Sequence, residues 1–205
     1  MKTIDHYKIG KKIAENMSKQ TTSFQRKLFL IGCVEPDINL FTYLKGSLHL
    51  KKFHGHNYEN ACKVIKGYVS ELNAIDRWSN MYYYKMGKLI HYAADAFTFP
   101  HNSQFKESLK AHIEYEDRLH QLFEESIELK AFILERRDQK KWLLMQKFQE
   151  LHQMYLDERE TIKDDIRYIC HICKYLSSEL LPGIKVYEKE RYALISSKYC
   201  WNYVN

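Results

Sequence analysis

The sequence has few residues that interrupt a helix. Only three prolines and seven glycines are spread over 205 residues, and these two residue types disfavour helix interiors most strongly. Long stretches without a breaker predict long helices and little sheet. We therefore expect an all-α fold, and a chain of this length with 45% hydrophobic residues is sufficient for a single-domain multi-helix bundle.

Long hydrophobic runs are also missing. Residues 1–10, MKTIDHYKIG, carry charges throughout and lack the apolar segment of a signal peptide. No later run reaches the roughly 18 apolar residues expected of a membrane-spanning helix. Five cysteines are an odd number in a chain that needs no disulfides to fold. These features predict reduced thiols and a cytoplasmic location.

The charge balance gives only weak information about partners. The net charge of +6 comes from 32 basic and 26 acidic residues and is distributed along the chain. Such an excess slightly favours anionic substrates, but a nucleic-acid binder typically has a dense basic stripe. The charge balance therefore disfavours nucleic acid as a partner without excluding it.

The spacing of apolar residues predicts seven helices in one domain over residues 1–205. Thr3 and Ser103 are predicted caps, Pro36 is expected to end the second helix, and Pro100 the fourth. An irregular loop, a common place for functional residues, is expected from Glu35 to about residue 58. The helices after about residue 136 would complete the bundle. The predicted helices cover approximately residues 4–17, 23–32, 58–75, 78–99, 103–136, 141–156 and 160–181.

Two of these helices carry matched pairs of potential metal ligands. His91 and Asp95 are four residues apart, so their side chains leave the same face of the helix one turn apart. His112 and Glu116 repeat this spacing on the next helix. His101 lies at the junction of the two helices, where its side chain can reach the groove between them. We expect these five residues to converge on one site.

Imidazole and carboxylate groups in this number are suitable ligands for zinc. A catalytic zinc needs about three protein ligands and one open position, so five residues are sufficient for two ions. The same groups also bind manganese, iron or cobalt. Further candidate ligands lie upstream in the first helix and the loop: His6, Asp37 and one of His49, His54 and His56.

In order and spacing, these residues resemble the bacterial zinc-dependent phospholipase C family, with S1/P1-type nucleases as more distant relatives of the same fold. The specific part is HYAADAFTFPH at residues 91–101 followed by HIEYE at residues 112–116. The resemblance also includes the N-terminal His6 and the aspartate after Gly-x-x-x-Pro, which is Asp37. It extends from near Met1 to Glu116.

The resemblance implies a trinuclear metal site. One zinc would be bound by His101, His112 and Glu116. A second would be bound by Asp37, a loop histidine, His91 and Asp95. Asp95 would bridge to a third zinc, which His6 would hold.

Two ligands of this set are less well defined. The loop histidine is best matched by His56, with His54 second. Secreted family members bind the third zinc with the amine and carbonyl of a mature N-terminal tryptophan. In this chain Met1, five residues before His6, is the candidate for these groups. The resemblance therefore implies two zinc ions, with a third that depends on Met1.

The implied activity is hydrolysis of phosphate esters. Metal-bound hydroxide would attack phosphorus in a phospholipid head group or a small phosphodiester, and Asp37 would orient or deprotonate the attacking water. A lipid substrate would entail peripheral membrane contact. Two alternatives remain: an S1/P1-like single-strand nuclease or 3′-nucleotidase, and a non-enzymatic metal-binding helical protein.

The remaining histidines and cysteines belong to no pattern. His120, His152 and His171 are predicted to be ordinary surface or core residues. Cys170 and Cys173 form a single C-x-x-C on a predicted helix without a partner pair. This arrangement favours two half-buried thiols over a metal site.

Overall fold

The computed structural model describes residues 1–39, 58–126 and 143–181. These ranges contain seven α-helices and one 3₁₀ turn, and no strand. The all-α prediction is confirmed. The helices are α1 (Thr3–Glu15), α2 (Ser23–Ile38), α3 (Tyr58–Ala74), α4 (Asn80–Ala96), α5 (Leu109–Ser126), α6 (Leu143–Glu158) and α7 (Ile162–Leu180), and the 3₁₀ turn is Phe99–His101.

Helix α4 lies at the centre of the bundle, where it packs against α2, α3 and α7. The Ser79 hydroxyl caps its first turn by accepting a hydrogen bond from the Tyr82 amide. Every residue from Leu89 to Ala96 is buried. A helix surrounded in this way is normally apolar on all sides. Because the buried stretch includes His91 and Asp95, their polar groups must be compensated inside the protein.

The prediction that Pro36 ends the second helix is wrong. Helix α2 begins with a capping box of Thr22 and Gln25 and continues through Pro36 to Ile38. In the last turns of a helix, proline removes one backbone hydrogen bond, and the long packing contact of α2 with α4 outweighs that loss. Asp37 therefore lies on a helix rather than in a loop.

The predicted start of the fifth helix at Ser103 is also wrong. Residues 102–108 follow the 3₁₀ turn without regular structure, and α5 begins at Leu109. The Ser108 hydroxyl accepts a hydrogen bond from the Ala111 amide, so a later serine takes the capping role. The predicted end near residue 136 lies outside the described residues. Thr3 begins α1 instead of capping it, since Lys2 is the N-cap residue. The other predicted helices agree with the structure within a few residues at each end.

Helices α2 and α4 approach so closely that only glycine fits where they cross. A Cβ atom on Gly32 would lie 2.2 Å from the Tyr84 carbonyl oxygen, and one on Gly87 would lie 2.1 Å from the Phe29 carbonyl oxygen. Both distances are far shorter than van der Waals contact. This close approach brings α2 within reach of His91 on α4.

The described residues include no helix that is long and apolar enough to cross a bilayer.

We predict that Gly32→Ala lowers the free energy of unfolding by about 2 kcal/mol or more, because the two helix backbones must separate. Gly67→Ala is the matched control. No atom lies within 4 Å of the Cβ position at Gly67, which is also inside a helix. There alanine should stabilise by about 0.5–1 kcal/mol. Chemical denaturation measures both effects, and an unchanged stability of Gly32→Ala would contradict the close helix crossing.

Candidate metal centre

Two groups of potential metal ligands lie side by side in the bundle. The Asp95 triad consists of His6, His91 and Asp95, and the Glu116 triad consists of His101, His112 and Glu116. Within each triad, the ligand atoms lie within 4.8 Å of one another. The triads are contiguous, since His101 Nε2 lies 3.9 Å from Asp95 Oδ1.

The Asp95 triad combines residues from α1 and α4. His91 and Asp95 occupy successive turns of α4, with His91 Nε2 3.4 Å from Asp95 Oδ2. His6 stacks on the His91 ring with 3.8 Å between the ring centroids. His6 Nε2 lies 3.1 Å from Asp95 Oδ1. All three side chains are at most 2% exposed, so this triad is closed to solvent.

The backbone of α2 orients the His91 ring. His91 Nδ1 lies 2.9 Å from the Cys33 carbonyl oxygen, which only accepts, so this nitrogen carries the donated proton. In the neutral ring, Nε2 then has a lone pair. It faces Asp95 Oδ2 at 3.4 Å and Asp37 Oδ1 at 3.5 Å. A lone pair opposite two carboxylates is unfavourable unless a cation or proton lies between them, and this arrangement fits a divalent metal.

Asp37 lies at the edge of the Asp95 triad. Its Oδ2 atom is buried and has no hydrogen-bond partner among the described residues. A buried carboxylate oxygen without a donor costs free energy. Binding to a metal ion or to a metal-associated water would compensate that cost.

The Glu116 triad combines the 3₁₀ turn and α5. Glu116 Oε1 lies 3.1 Å from His112 Nε2 and 3.3 Å from His101 Nε2. The His112 and Glu116 side chains are 28% and 20% exposed, whereas His101 is buried. This triad is therefore the part of the centre that is open to solvent.

The amine of Met1 lies between the two triads. Its nitrogen is 3.3 Å from Asp95 Oδ1, 2.7 Å from Glu116 Oε1 and 3.1 Å from His101 Nε2. Burial opposes the charged amine, but Asp95 and Glu116 outweigh it and raise its pKa to about 10. The carboxylates thus attract positive charge to the point where the triads meet.

The same charges keep both triad carboxyls ionised. Burial would raise their pKa values, but positive and hydrogen-bonding neighbours dominate. Hydrogen bonds from His101 and His112, together with the Met1 ammonium, hold the pKa of Glu116 far below its usual range. The Met1 ammonium and the histidines hold the pKa of Asp95 well below its usual range.

One histidine of the Asp95 triad is held neutral. Burial and the proximity of His91 lower the pKa of His6 to about 4. An ionised carboxylate beside a neutral imidazole is the protonation state that binds zinc.

The structure thus brings together eight of the residues predicted from the sequence. The candidate loop ligands His49, His54 and His56 lie outside the described residues. The residues brought together are Met1, His6, Asp37, His91, Asp95, His101, His112 and Glu116.

Two histidines outside the triads take part in structural contacts. His120 Nδ1 lies 2.6 Å from Asp5 Oδ1 and so connects α5 to α1. His152 Nε2 donates to the Ala96 carbonyl at 3.0 Å and to Asn102 Oδ1 at 2.9 Å. Burial lowers the pKa of His152 to about 4, so it is neutral.

The two cysteines of the C-x-x-C are free thiols. Cys170 is half-buried, whereas Cys173 is fully buried rather than half-buried as predicted. Burial raises the pKa of Cys170 to about 12, which disfavours the thiolate that would bind a metal. Neither cysteine belongs to a ligand group among the described residues.

Sequence reasoning missed a buried aspartate close to the Glu116 triad. Asp165 on α7 is fully buried and accepts hydrogen bonds from the Phe99 amide and the Tyr115 hydroxyl. A signal was present in the sequence, because Asp165 falls on the apolar face of α7 with Ile169 and Ile172. A charged residue on an apolar face indicates a buried polar contact.

Comparison with known proteins supports the same chemistry. Residues 5–162 match the zinc-dependent phospholipase C family. No curated protein and no solved structure matches the chain. The matched range covers well over half of the 205 residues and contains both triads and Asp37. The chain therefore belongs to the zinc-dependent phospholipase C family.

Proposed function

We propose that this protein is a phospholipase C-like phosphodiesterase whose active site consists of the two triads and Asp37. Membership of the family implies a zinc-dependent hydrolase of phosphate esters. The observation that carries the proposal is the orientation of His91, whose Nε2 faces two carboxylates while its Nδ1 is bonded to the backbone. A histidine held in this way favours metal binding over a purely structural role.

We propose one zinc ion at the Glu116 triad, a second at Asp37, His91 and Asp95, and a third at His6 and the Met1 amine, with Asp95 as the bridge between the second and third ions. The first two sites each offer three protein ligands, the usual number for a catalytic zinc, which also keeps a position for water or substrate. The third ion is supported by the Met1 nitrogen, which lies within 3.3 Å of Asp95 Oδ1. His6 would complete that site, because its Nε2 lies 3.1 Å from the same Asp95 oxygen.

The residues around the metals support hydrolysis. Bound zinc lowers the pKa of an attached water to about 7 and neutralises charge that develops on phosphate oxygens. The buried Oδ2 of Asp37 can accept the proton of the attacking water or orient it, because no described donor occupies that atom. Phosphate would enter beside His112 and Glu116, the exposed side of the centre.

A lipid phosphodiester is supported by the surface next to the exposed triad. Leu109 and Ile113 are each 53% exposed and lie three residues before and one residue after His112. Leu109 therefore shares a helix face with His112, three residues on, and with Ile113, four residues on. An apolar rim beside the ligand His112 suits a substrate whose phosphate is attached to a lipid.

We predict that His91→Ala and His112→Ala each remove about one zinc ion per chain, since each deletes one ligand of a different triad. His171→Ala is the matched control, because His171 is a half-buried histidine of α7 outside both triads. Elemental analysis of the purified proteins gives the zinc content, and circular dichroism checks the fold. Full zinc content in both triad variants would contradict the assigned ligands.

We predict that a Gly-Ser extension before Met1 lowers the zinc content by one ion and leaves the other two bound. The extension converts the Met1 amine into an amide, which is a much poorer metal ligand than a free amine. The same two residues added after Asn205 serve as the control. An unchanged third ion in the N-terminally extended protein would show that Met1 is not a ligand.

We predict that Asp37→Asn lowers kcat on p-nitrophenyl phosphorylcholine about 10²- to 10⁴-fold with a smaller change in KM, the usual effect of losing a general base. Asp157→Asn on the exposed surface of α6 is the control. The wild type should cleave this diester faster than p-nitrophenyl phosphate or single-stranded DNA. Preferential cleavage of DNA would instead indicate a nuclease, and zinc-loaded protein inert on all three would contradict the proposed function.

A further inference from the structure

One carboxylate on α7 binds both segments that carry the Glu116 triad. Asp165 is fully buried. Its Oδ2 accepts hydrogen bonds from the Phe99 amide at 2.9 Å and from the Tyr115 hydroxyl at 2.8 Å. Phe99 begins the 3₁₀ turn that ends at His101, and Tyr115 immediately precedes Glu116. Asp165 thus joins the two segments close to their ligands.

The other oxygen of Asp165 is bonded to α6 and to the residue that follows it. Oδ1 accepts from the Tyr155 hydroxyl at 3.0 Å and from Arg159 Nε at 3.1 Å. Arg159 also donates to the Tyr115 hydroxyl at 2.7 Å, and its guanidinium lies 3.7 Å from the centre of the Phe99 ring. Four hydrogen bonds to one buried carboxylate form a satisfied polar network, which resists displacement of its members.

The covalent chain alone does not set the spacing of the ligands in the Glu116 triad. Residues 102–108, which connect the 3₁₀ turn to α5, are not helical. The separation of 3.3 Å between His101 Nε2 and Glu116 Oε1 therefore depends on contacts that hold the turn against α5. The two bonds to Asp165 Oδ2 are contacts of this kind, because a single atom binds both segments.

We propose that Asp165 is a positioning residue for the metal site of the Glu116 triad, acting through Phe99 and Tyr115. This inference rests on the proposed function, because it concerns one of the three zinc sites assigned there. Asp165 lies beyond residues 5–162, the range that matches the family. The Asp95 triad is held differently, by the stacking of His6 on His91 and the bond from His91 to the Cys33 carbonyl.

A purely structural role for Asp165 would lead to a different experimental result, a loss of stability without a selective loss of zinc affinity. A buried ion pair between Asp165 and Arg159 that only joined helices would affect stability without a preference for either metal site. A positioning role affects one site and not the other. The discriminating measurement is therefore zinc affinity at each triad, determined separately from stability.

The first variant is Asp165→Asn. Asparagine has one accepting oxygen where the carboxylate has two, so it cannot keep both the bonds from Phe99 and Tyr115 and the bonds from Tyr155 and Arg159. The network is therefore disrupted with little change in volume. We expect zinc affinity at the Glu116 triad to fall about 10- to 100-fold, the usual effect of changing a residue that supports a metal ligand. Competition with a chromophoric chelator, using the full chain loaded with zinc, measures the affinity of each bound ion.

The weakened site is identified with a double variant. In the His112→Ala variant the Glu116 triad lacks a ligand, so the zinc ions that remain bound lie outside that triad. Adding Asp165→Asn to His112→Ala should leave the affinities of those ions unchanged. Further loss of zinc in the double variant would show that Asp165 acts on the whole bundle and would overturn the proposal.

Tyr115→Phe and Tyr155→Phe form a matched pair that keeps the test valid if Asp165→Asn does not fold. Each removes one hydroxyl that donates to Asp165, but Tyr115 adjoins Glu116 whereas Tyr155 lies on α6. Tyr115→Phe should weaken zinc binding at the Glu116 triad, and Tyr155→Phe should lower the unfolding midpoint without that effect. Equal zinc affinities in the two variants would overturn the proposal.

Failure of the proposed function gives a different result. If the wild type binds zinc through His112 but hydrolyses no phosphoester, the function is wrong and the positioning role of Asp165 can still be confirmed by affinity. If phosphodiesterase activity is present and Asp165→Asn retains wild-type zinc affinity at the Glu116 triad, the positioning role is wrong and the function stands. If wild-type zinc binding does not depend on His112, both are overturned.

Discussion

The structure depends on one buried carboxylate, that of Asp95 in the middle of the central helix α4. A carboxylate that is 2% exposed costs several kcal/mol unless positive charge and hydrogen bonds compensate it. The compensating groups come from separate parts of the chain: His6 from α1, His101 from the 3₁₀ turn and the amine of Met1. Compensation of this charge therefore ties the N-terminus and the turn to the centre of the bundle.

The close crossing of α2 and α4 serves the same centre. Gly32 and Gly87 allow the backbones to meet where any side chain would collide. One residue after Gly32, the Cys33 carbonyl accepts a hydrogen bond from the N–H group of His91 Nδ1. Four residues further, Asp37 reaches the opposite nitrogen of the same ring. A single packing contact thus sets the tautomer of His91 and places a carboxylate beside its Nε2 nitrogen.

The two triads differ in how far their side chains are exposed to solvent. The Asp95 triad is enclosed by α1, α2 and α4, and its three side chains are almost fully buried. The Glu116 triad is partly exposed at His112 and Glu116. The 3₁₀ turn and α5, which carry this triad, are both hydrogen-bonded to Asp165 of α7. The C-terminal helices therefore do more than complete the core, because they contact the segments on which the exposed ligands lie.

The sequence by itself determined the helical class and most of the candidate ligands. A spacing of four residues places His91 with Asp95 and His112 with Glu116, since the period of an α-helix is a local property. Tertiary structure decided the rest. It kept Asp37 on a helix despite Pro36, because packing against α4 outweighs one lost hydrogen bond. It also selected the Cys33 carbonyl and Asp165 as partners of the site. A backbone carbonyl has no sequence signature, and the role of an aspartate on an apolar face depends on what another helix brings to it.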